Sequence, residues 1–208
     1  MLIVLTGIDG SGKTTAANAL VSGLQLGGTK ALLLSNHAAR RRLSLLSAKY
    51  GWQLPPRVAD AIETTVRIFN VLVSHVRAHR FGGTVVMDRH LYCQLALRKA
   101  NGLRRGILLP WLLERLPEPD LVIYFDVDPQ HAYQRVLARG TDKESLRDLQ
   151  DFRAAYRSLP EYSGFVEVDA NGTPGEVLER LSGVVAAAGM PVPAVAGGTT
   201  PATSEANE

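Results

Sequence analysis

The sequence predicts an α/β fold in which helices cover both faces of a five-stranded parallel β-sheet. Short apolar runs alternate along the chain with longer segments of helical periodicity, and the runs are apolar throughout, as in strands buried on both faces. The chain has 208 residues and no internal repeat, which favours one domain. We expect this domain at residues 1–188, followed by a disordered tail at 189–208 that is rich in Pro, Gly, Ala and Thr.

The strands are predicted from runs that contain many β-branched or aromatic residues and stop at Gly, Asp or a polar residue. In chain order they cover residues 2–6, 31–35, 84–88, 121–128 and 165–169.

The helices are predicted from apolar residues three or four positions apart, bounded by Gly or Pro. The longest, at about 57–80, places five apolar side chains on one face: Ile62, Val66, Phe69, Val73 and Val76. The other predicted helices cover about 13–26, 38–50, 91–101, 107–116, 129–139, 143–158 and 174–187.

Composition excludes several classes of protein. Cys93 is the single cysteine, so no internal disulfide framework exists and a reducing compartment is indicated. The apolar stretch before Gly7 is too short for a signal peptide, and no apolar run approaches the roughly 18 residues of a membrane span. We therefore expect a cytoplasmic protein without a membrane partner. The net charge is +3, and its basic clusters lack interleaved aromatics, so we expect no nucleic-acid partner.

A phosphate-binding motif follows the first strand directly. Residues 7–14, GIDGSGKT, match G-x-x-x-x-G-K-[ST] between a buried strand and the start of a helix. Glycines allow successive backbone N–H groups to face an anion, and the helix start adds its positive dipole end. We expect Lys13 to bridge the β- and γ-phosphates of ATP and Thr14 to bind Mg²⁺. The expected nucleotide-binding residues of this P-loop are Gly7, Asp9, Gly10, Ser11, Gly12, Lys13, Thr14 and Thr15.

Polar residues at the end of a second strand favour a kinase over a GTP-dependent switch protein. Asp88 and Arg89 follow the third strand, whose carboxyl end opens onto the ligand crevice of a parallel sheet. A carboxylate there can hold the metal's water shell, and an arginine can neutralise the transferring phosphoryl group. The guanine-reading N-K-x-D motif of GTP switches is absent, because TDKE at 141–144 lacks the Asn.

With these motifs in order, the chain resembles the thymidylate kinase family over nearly all of residues 1–188. The resemblance is carried by GIDGSGKTT at 7–15, DRH at 88–90, PDLVIYFDVDP at 119–129, Phe152-x-x-x-Tyr156 and VDANG at 168–172. It implies the nucleoside monophosphate kinase variant of the P-loop NTPase fold, with a short lid at about 140–147. It also implies a small-molecule nucleotide acceptor and a capacity to form symmetric homodimers.

The resemblance further assigns roles by position. Asp9 would bind the acceptor sugar hydroxyl, and Asp88 would assist at the metal or the sugar. Arg67 and Arg89 would hold the acceptor phosphate. The ATP base and phosphates would lie beside Arg135, Arg139 and the backbone around Ala170 and Asn171.

The acceptor site departs from the family pattern. The aromatic residue that stacks on thymine corresponds to Glu63, and the family's Ser, Tyr and Gln positions are occupied by Cys93, Leu97 and Arg98. Losing an aromatic plane removes stacking of about 1–3 kcal/mol. The segment 35–39, Ser-Asn-His-Ala-Ala, stands where the family has R-E-P-G-G-T. We therefore expect an acceptor that is dTMP or a nucleotide with a related, altered base, contacted at positions 63, 97 and 98.

The lid and P-loop also lack the family's catalytic arginines. Gly10 stands where some members carry one, and only residues 141–143 remain of the lid tip. Lys143 or Arg147 would then supply the lid cation, and an amine lacks the bidentate fork of a guanidinium.

Three functions are compatible with these residues. The first is phosphoryl transfer from Mg·ATP to a nucleoside monophosphate, without a covalent enzyme intermediate. The second is a deoxyribonucleoside kinase that uses Asp9 or Glu63 as the base for a sugar hydroxyl. The third is a nucleotide-binding regulatory protein with little turnover.

Overall fold

A computed structural model describes residues 1–36, 55–140 and 144–189 of the chain. Its five strands form one parallel sheet in the order β2-β3-β1-β4-β5, which confirms the predicted fold class. The strands are β1 (Leu2–Thr6), β2 (Ala31–Ser35), β3 (Thr84–Asp88), β4 (Leu121–Asp126) and β5 (Val166–Asp169).

Seven α-helices lie within these described ranges. They are α1 (Lys13–Leu26), α2 (Pro56–Arg80), α3 (Leu91–Ala100), α4 (Leu108–Arg115), α5 (Pro129–Arg139), α6 (Leu146–Arg157) and α7 (Pro174–Ala187). A 3₁₀ helix at Pro160–Gly164 was not predicted. The predicted helix at 38–50, the lid residues 141–143 and the tail from 190 onward lie outside the described residues.

Two predicted boundaries were wrong because capping residues set them. The fourth strand ends at Asp126 and not at 128, since the Asp128 side chain accepts a 2.7 Å hydrogen bond from the N–H of Gln130 and caps α5. The helix predicted from 143 begins at Leu146, where Ser145 and Asp148 form a reciprocal capping box.

The central strand β1 is buried on both faces of the sheet. Ile3 and Leu5 belong to a large apolar cluster with Leu20 and Leu24 of α1, and the intervening Val4 belongs to a second cluster with residues of β2 and β3. Strand register sets Leu5 beside Asp88. The residues that follow β1 therefore lie at the centre of the sheet edge, next to the end of β3.

The long helix α2 turns its polar side to the protein. Of the face predicted as apolar, Ile62, Phe69, Val73 and Val76 are exposed. Buried instead are Glu63, Thr64, Arg67, Val71, Ser74 and His75. Among the described helices, none combines the length and apolarity that crossing a bilayer requires.

Candidate active site

The P-loop connects β1 to α1 and can be built only with glycine at particular positions. Gly10 and Gly12 have φ of +81° and +84°, the left-handed region that favours glycine. A Cβ at Gly10 would collide with the carbonyl of Ala132 on α5, and one at Gly7 would lie 2.8 Å from the carbonyl of Phe125. The loop is therefore held tightly against β4 and α5.

Lys13 reaches back into this loop at the first position of α1. Its Nζ donates to the carbonyl of Ile8 at 2.6 Å and to Ser11 Oγ at 2.9 Å, and the residue is buried. Burial, together with the charge of Arg89, lowers the pKa of Lys13 to about 8, although the opposite charge of Asp9 partly offsets this shift. A buried ammonium inside a ring of backbone groups is suited to contact phosphate oxygens.

Thr14 and Asp88 bring two side-chain oxygens together beside Lys13. Thr14 Oγ1 donates to Asp88 Oδ2 at 2.5 Å. Asp88 is fully buried, and within the described ranges its Oδ1 atom has no hydrogen-bond partner. An orphaned buried carboxylate oxygen next to a hydroxyl fits Mg²⁺, which prefers oxygen ligands and retains several waters.

A left-handed backbone conformation directs the Arg89 side chain toward the P-loop. Its φ of +76° is the only positive value of a non-glycine residue in the described parts of the chain. Such a conformation costs on the order of 1–3 kcal/mol and is found at functional sites. The guanidinium forms an ion pair with Asp9 of the P-loop. The phosphate-binding loop and the end of β3 are thus joined by a charge pair.

Asp9 is held ionised by its neighbours. Burial alone would raise the pKa of Asp9, but the charges of Arg89 and Lys13, together with hydrogen bonds involving Arg89 and Glu144, hold it well below its ordinary range. Burial likewise opposes charge on Arg89, yet the Asp9 charge raises the pKa of Arg89 well above its ordinary value. Both groups therefore stay charged at physiological pH.

A buried polar cluster lies between α2 and α3 on the expected acceptor side. Arg67 donates through Nε to Gln94 Oε1 at 3.1 Å and lies 3.4 Å from Glu63 Oε1. Gln94 in turn donates to Thr64 Oγ1 at 3.0 Å and to Asp60 Oδ1 at 3.3 Å. The position of the family's stacking aromatic is therefore occupied by a carboxylate paired with Arg67.

The remaining expected acceptor residues are not grouped around one opening. Arg98 donates to Asp60 Oδ2 at 2.6 Å and through two nitrogens to the carbonyl of Arg104, so it joins α2, α3 and the following loop. Leu97 is buried and contributes to a small surface cleft with Phe152 and Glu144. Cys93 is buried behind the P-loop, with its Sγ 3.3 Å from Thr6 Oγ1.

On the expected ATP side, Arg135 bonds to backbone rather than facing an open pocket. Its two Nη atoms donate to four carbonyls, those of Gly10, Ala170, Asn171 and Gly172, at 3.0–3.4 Å. Asn171 Oδ1 accepts from the N–H of Asp128 at 2.8 Å. Arg135 and Asn171 thus tie α5, the P-loop and the β5–α7 loop together. Arg139 is exposed at the end of α5, and Lys143 lies outside the described residues.

Sequence reasoning missed Asn36, Gln94 and Ser74. All three are buried and bond to Arg67, to Arg89 or to each other. Asn36 could have been found, because it directly follows β2 at the same sheet edge as Asp88. Nothing in the sequence singles out Gln94 or Ser74.

The fold and this cluster of charges define a P-loop nucleotide kinase, with the loop at the end of a central parallel strand and an Asp–Arg pair beside it. The family model for thymidylate kinase matches residues 59–181, more than half of the chain. The protein belongs to the thymidylate kinase family.

Individual relatives extend the likeness to the P-loop half of the chain. The probable thymidylate kinase of Halobacterium salinarum is 30% identical over 202 residues, covering 89% of this chain and 96% of that protein. The probable thymidylate kinase of Archaeoglobus fulgidus is 29% identical over 187 residues, with 89% and 94% covered. The thymidylate kinase of Xanthomonas campestris pv. campestris is 28% identical over 200 residues, with 90% and 84% covered. The protein is accordingly an ATP-dependent nucleotide kinase that uses Mg²⁺.

Proposed function

We propose that the protein transfers the γ-phosphoryl group of ATP to a nucleoside monophosphate, and that the acceptor is dTMP or a nucleotide with a related, altered base. One observation carries the proposal: Lys13 of the P-loop and Arg89, which directly follows β3, lie in one charged cluster with Asp9 and Asp88. Two cations side by side are what a donor and an acceptor phosphate require when brought together.

Each residue of the cluster has a proposed role in that transfer. Lys13 binds and neutralises the transferring phosphoryl group, and Arg89, with Arg67, holds the acceptor phosphate. Asp9 orients Arg89 and accepts from the acceptor sugar. Thr14 and Asp88 would hold Mg²⁺, which would supply positive charge to the phosphate oxygens. The acceptor phosphate is already a nucleophile, so positioning and charge neutralisation suffice.

The residues at the base side support an acceptor recognised by hydrogen bonds. Glu63 presents a carboxylate where the family stacks an aromatic ring, and it lies against Arg67, which bonds to Gln94. A carboxylate accepts hydrogen bonds from amino and imino groups. Bases that carry such donor groups therefore suit Glu63 better than a base held mainly by stacking.

The charges disfavour a nucleoside kinase. That reaction needs a carboxylate base, and the pKa of Asp9 lies well below its ordinary range. A carboxylate of such low basicity accepts a proton poorly. Glu63, the other candidate base, is buried beside Arg67. Neither group is suited to deprotonate a sugar hydroxyl.

A substrate panel tests the proposal. Purified protein is incubated with Mg·ATP and with dTMP, dUMP, dCMP, UMP, CMP, AMP or GMP, and with the corresponding nucleosides, while ADP and phosphorylated product are measured. We expect transfer to at least one monophosphate and to no nucleoside, and a Lys13→Ala preparation without transfer excludes a contaminating kinase. ATP binding without transfer to any monophosphate would contradict the proposal, and product from nucleosides alone would favour the nucleoside kinase.

A further inference from the structure

Asn36 lies where three elements of the site meet. It directly follows β2, is fully buried, and its N–H donates to the carbonyl of Asp88 at 2.9 Å. Its side-chain Oδ1 accepts from Ser74 Oγ of α2 at 2.7 Å. One residue thereby joins the ends of two neighbouring strands to the polar face of α2.

The same residue contacts both arginines that are proposed to bind the acceptor phosphate. Its Nδ2 donates to the carbonyl of Arg89 at 2.8 Å, and its own carbonyl accepts from Arg67 Nη1 at 3.3 Å. Two separate groups of one buried residue therefore link the Arg67 guanidinium to the backbone of Arg89.

The contact to Arg89 acts at the strained position of the backbone. The φ of +76° at Arg89 turns its side chain toward Asp9, and the backbone N–H and carbonyl of Arg89 itself each form one hydrogen bond. The N–H of Arg89 donates to the carbonyl of Leu5 at 3.0 Å, and its carbonyl accepts from Asn36. A strained conformation persists only when its surroundings over-determine it, and Asn36 provides one of these two restraints.

An amide is the side chain that these contacts require. Nδ2 must donate to a carbonyl, and Oδ1 must accept from a hydroxyl, both in a buried place. Aspartate has the same shape but presents a second acceptor to the Arg89 carbonyl, which leaves that carbonyl without a donor. Alanine provides neither group.

We infer that Asn36 is a positioning residue for acceptor binding: it maintains the left-handed backbone of Arg89 and sets Arg67 and Arg89 at a fixed separation. This inference rests on the proposed function, since there the two arginines bind the acceptor phosphate. Asn36 acts through these side chains and need not contact a substrate.

The test compares Asn36→Asp with Ser74→Ala in the full chain, using the best monophosphate from the panel. For Asn36→Asp we expect kcat/KM for the acceptor to fall by about 100-fold, as for a misplaced binding group, with KM for ATP within about twofold of wild type. Ser74→Ala leaves the donor to Arg89 in place, so its kcat/KM should stay within about threefold. If the new carboxylate prevents folding, Asn36→Ala takes the same test.

A double-mutant cycle separates positioning from a general structural role. If Asn36 acts through Arg89, Asn36→Asp adds less than about threefold to the loss caused by Arg89→Ala alone. Fully additive losses, or a lowered kcat with unchanged acceptor KM, would overturn the inference.

A wild type that transfers to no monophosphate would refute the proposed function instead. In that case, crystal structures of wild type and Asn36→Asp test whether Asn36 maintains the backbone conformation of Arg89. We expect Arg89 of the variant to lose its positive φ and its ion pair with Asp9. If both features persist, the inference is overturned.

Discussion

Lys13 shows how burial adjusts a single group for its task. The P-loop removes its ammonium from water, which lowers the pKa to about 8, so the protonated form predominates below that pH and the neutral form above it. Only the protonated form attracts phosphate. We expect kcat/KM for ATP to be level below pH 8 and to decline above it by up to about tenfold per pH unit, because this ratio reports groups of the free enzyme. Steady-state kinetics between pH 6.5 and 9.5 measure the effect.

The control for this pH dependence is Lys13→Arg. A guanidinium stays protonated throughout that range, so ATP binding by the variant should be weaker in absolute affinity but independent of pH. A titration of ATP affinity by calorimetry compares the two proteins. If the decline above pH 8 persists in Lys13→Arg, another group causes it.

The buried carboxylate of Asp88 is expected to lower stability, and the proposed binding of Mg²⁺ gives it a functional reason. Its Oδ1 atom is buried without a hydrogen-bond partner among the described residues. Asp88→Asn removes the charge at constant shape, so we expect an unchanged or higher Tm together with a loss of about 100-fold in kcat and a higher Mg²⁺ requirement. Melting curves and Mg²⁺ titrations measure these effects. Asp151→Asn makes the same change at an exposed position of α6, and a comparable kinetic loss there would contradict the assignment.

Among elements, α5 is hydrogen-bonded to the P-loop through Arg135. This side chain donates to four backbone carbonyls, one in the P-loop and three in the β5–α7 loop. Arg135→Met keeps the aliphatic stem but leaves these carbonyls unpaired, which should reduce the free energy of unfolding by about 1–3 kcal/mol and raise KM for ATP. Denaturant unfolding measures the first effect and initial rates the second.

The matched control is Arg147→Met on α6. That side chain is 89% exposed and lies 3.9 Å from Asp151, so its removal should change stability by less than about 0.5 kcal/mol. Equal destabilisation by both substitutions would show that Arg135 is no more than a surface arginine.

The helix α2 shows where sequence reasoning reaches its limit. Hydrophobic periodicity identified the helix and its apolar face, but periodicity does not say which face meets the protein. Here the polar face does, because Arg67 and Ser74 bond to Asn36, which follows β2, and Arg67 also bonds to Gln94 of α3. The position of the P-loop between β1 and α1, by contrast, was predicted correctly because its residues are contiguous, whereas its contacts to ATP stay a prediction.

Contacts distant in sequence account for the rest of what was missed. Asn36 bonds to residues 31, 38 and 53 positions away, and these pairs become visible only when the strand order is known. The end of β3 was predicted correctly as a neighbour of the P-loop, since parallel strands align their carboxyl ends. The partners of Arg98 and Arg135 depend on loop conformation, which no spacing rule specifies.

For the whole molecule, the outward face of α2 is the principal apolar surface left by the fold in the described residues. Phe69 is 65% exposed, and Val73 and Val76 are exposed one and two turns further on. Contiguous apolar surface of this kind is typical of an interface. We propose that two copies associate through α2, in keeping with the dimer that the family resemblance implies.

Light scattering coupled to size exclusion tests this association, with Phe69→Glu as the disruptive change. We expect wild type to elute as a dimer and the variant as a folded monomer, because the exposed Phe69 side chain contributes little to the core. Leu26→Glu makes the same change at a 90% exposed leucine on α1 and should leave the dimer intact. A wild-type monomer, or dissociation by both substitutions, would contradict the proposal.

Since Glu63 and Arg67 lie on the inward face of the same helix, monomers should also show a higher acceptor KM with little change in KM for ATP.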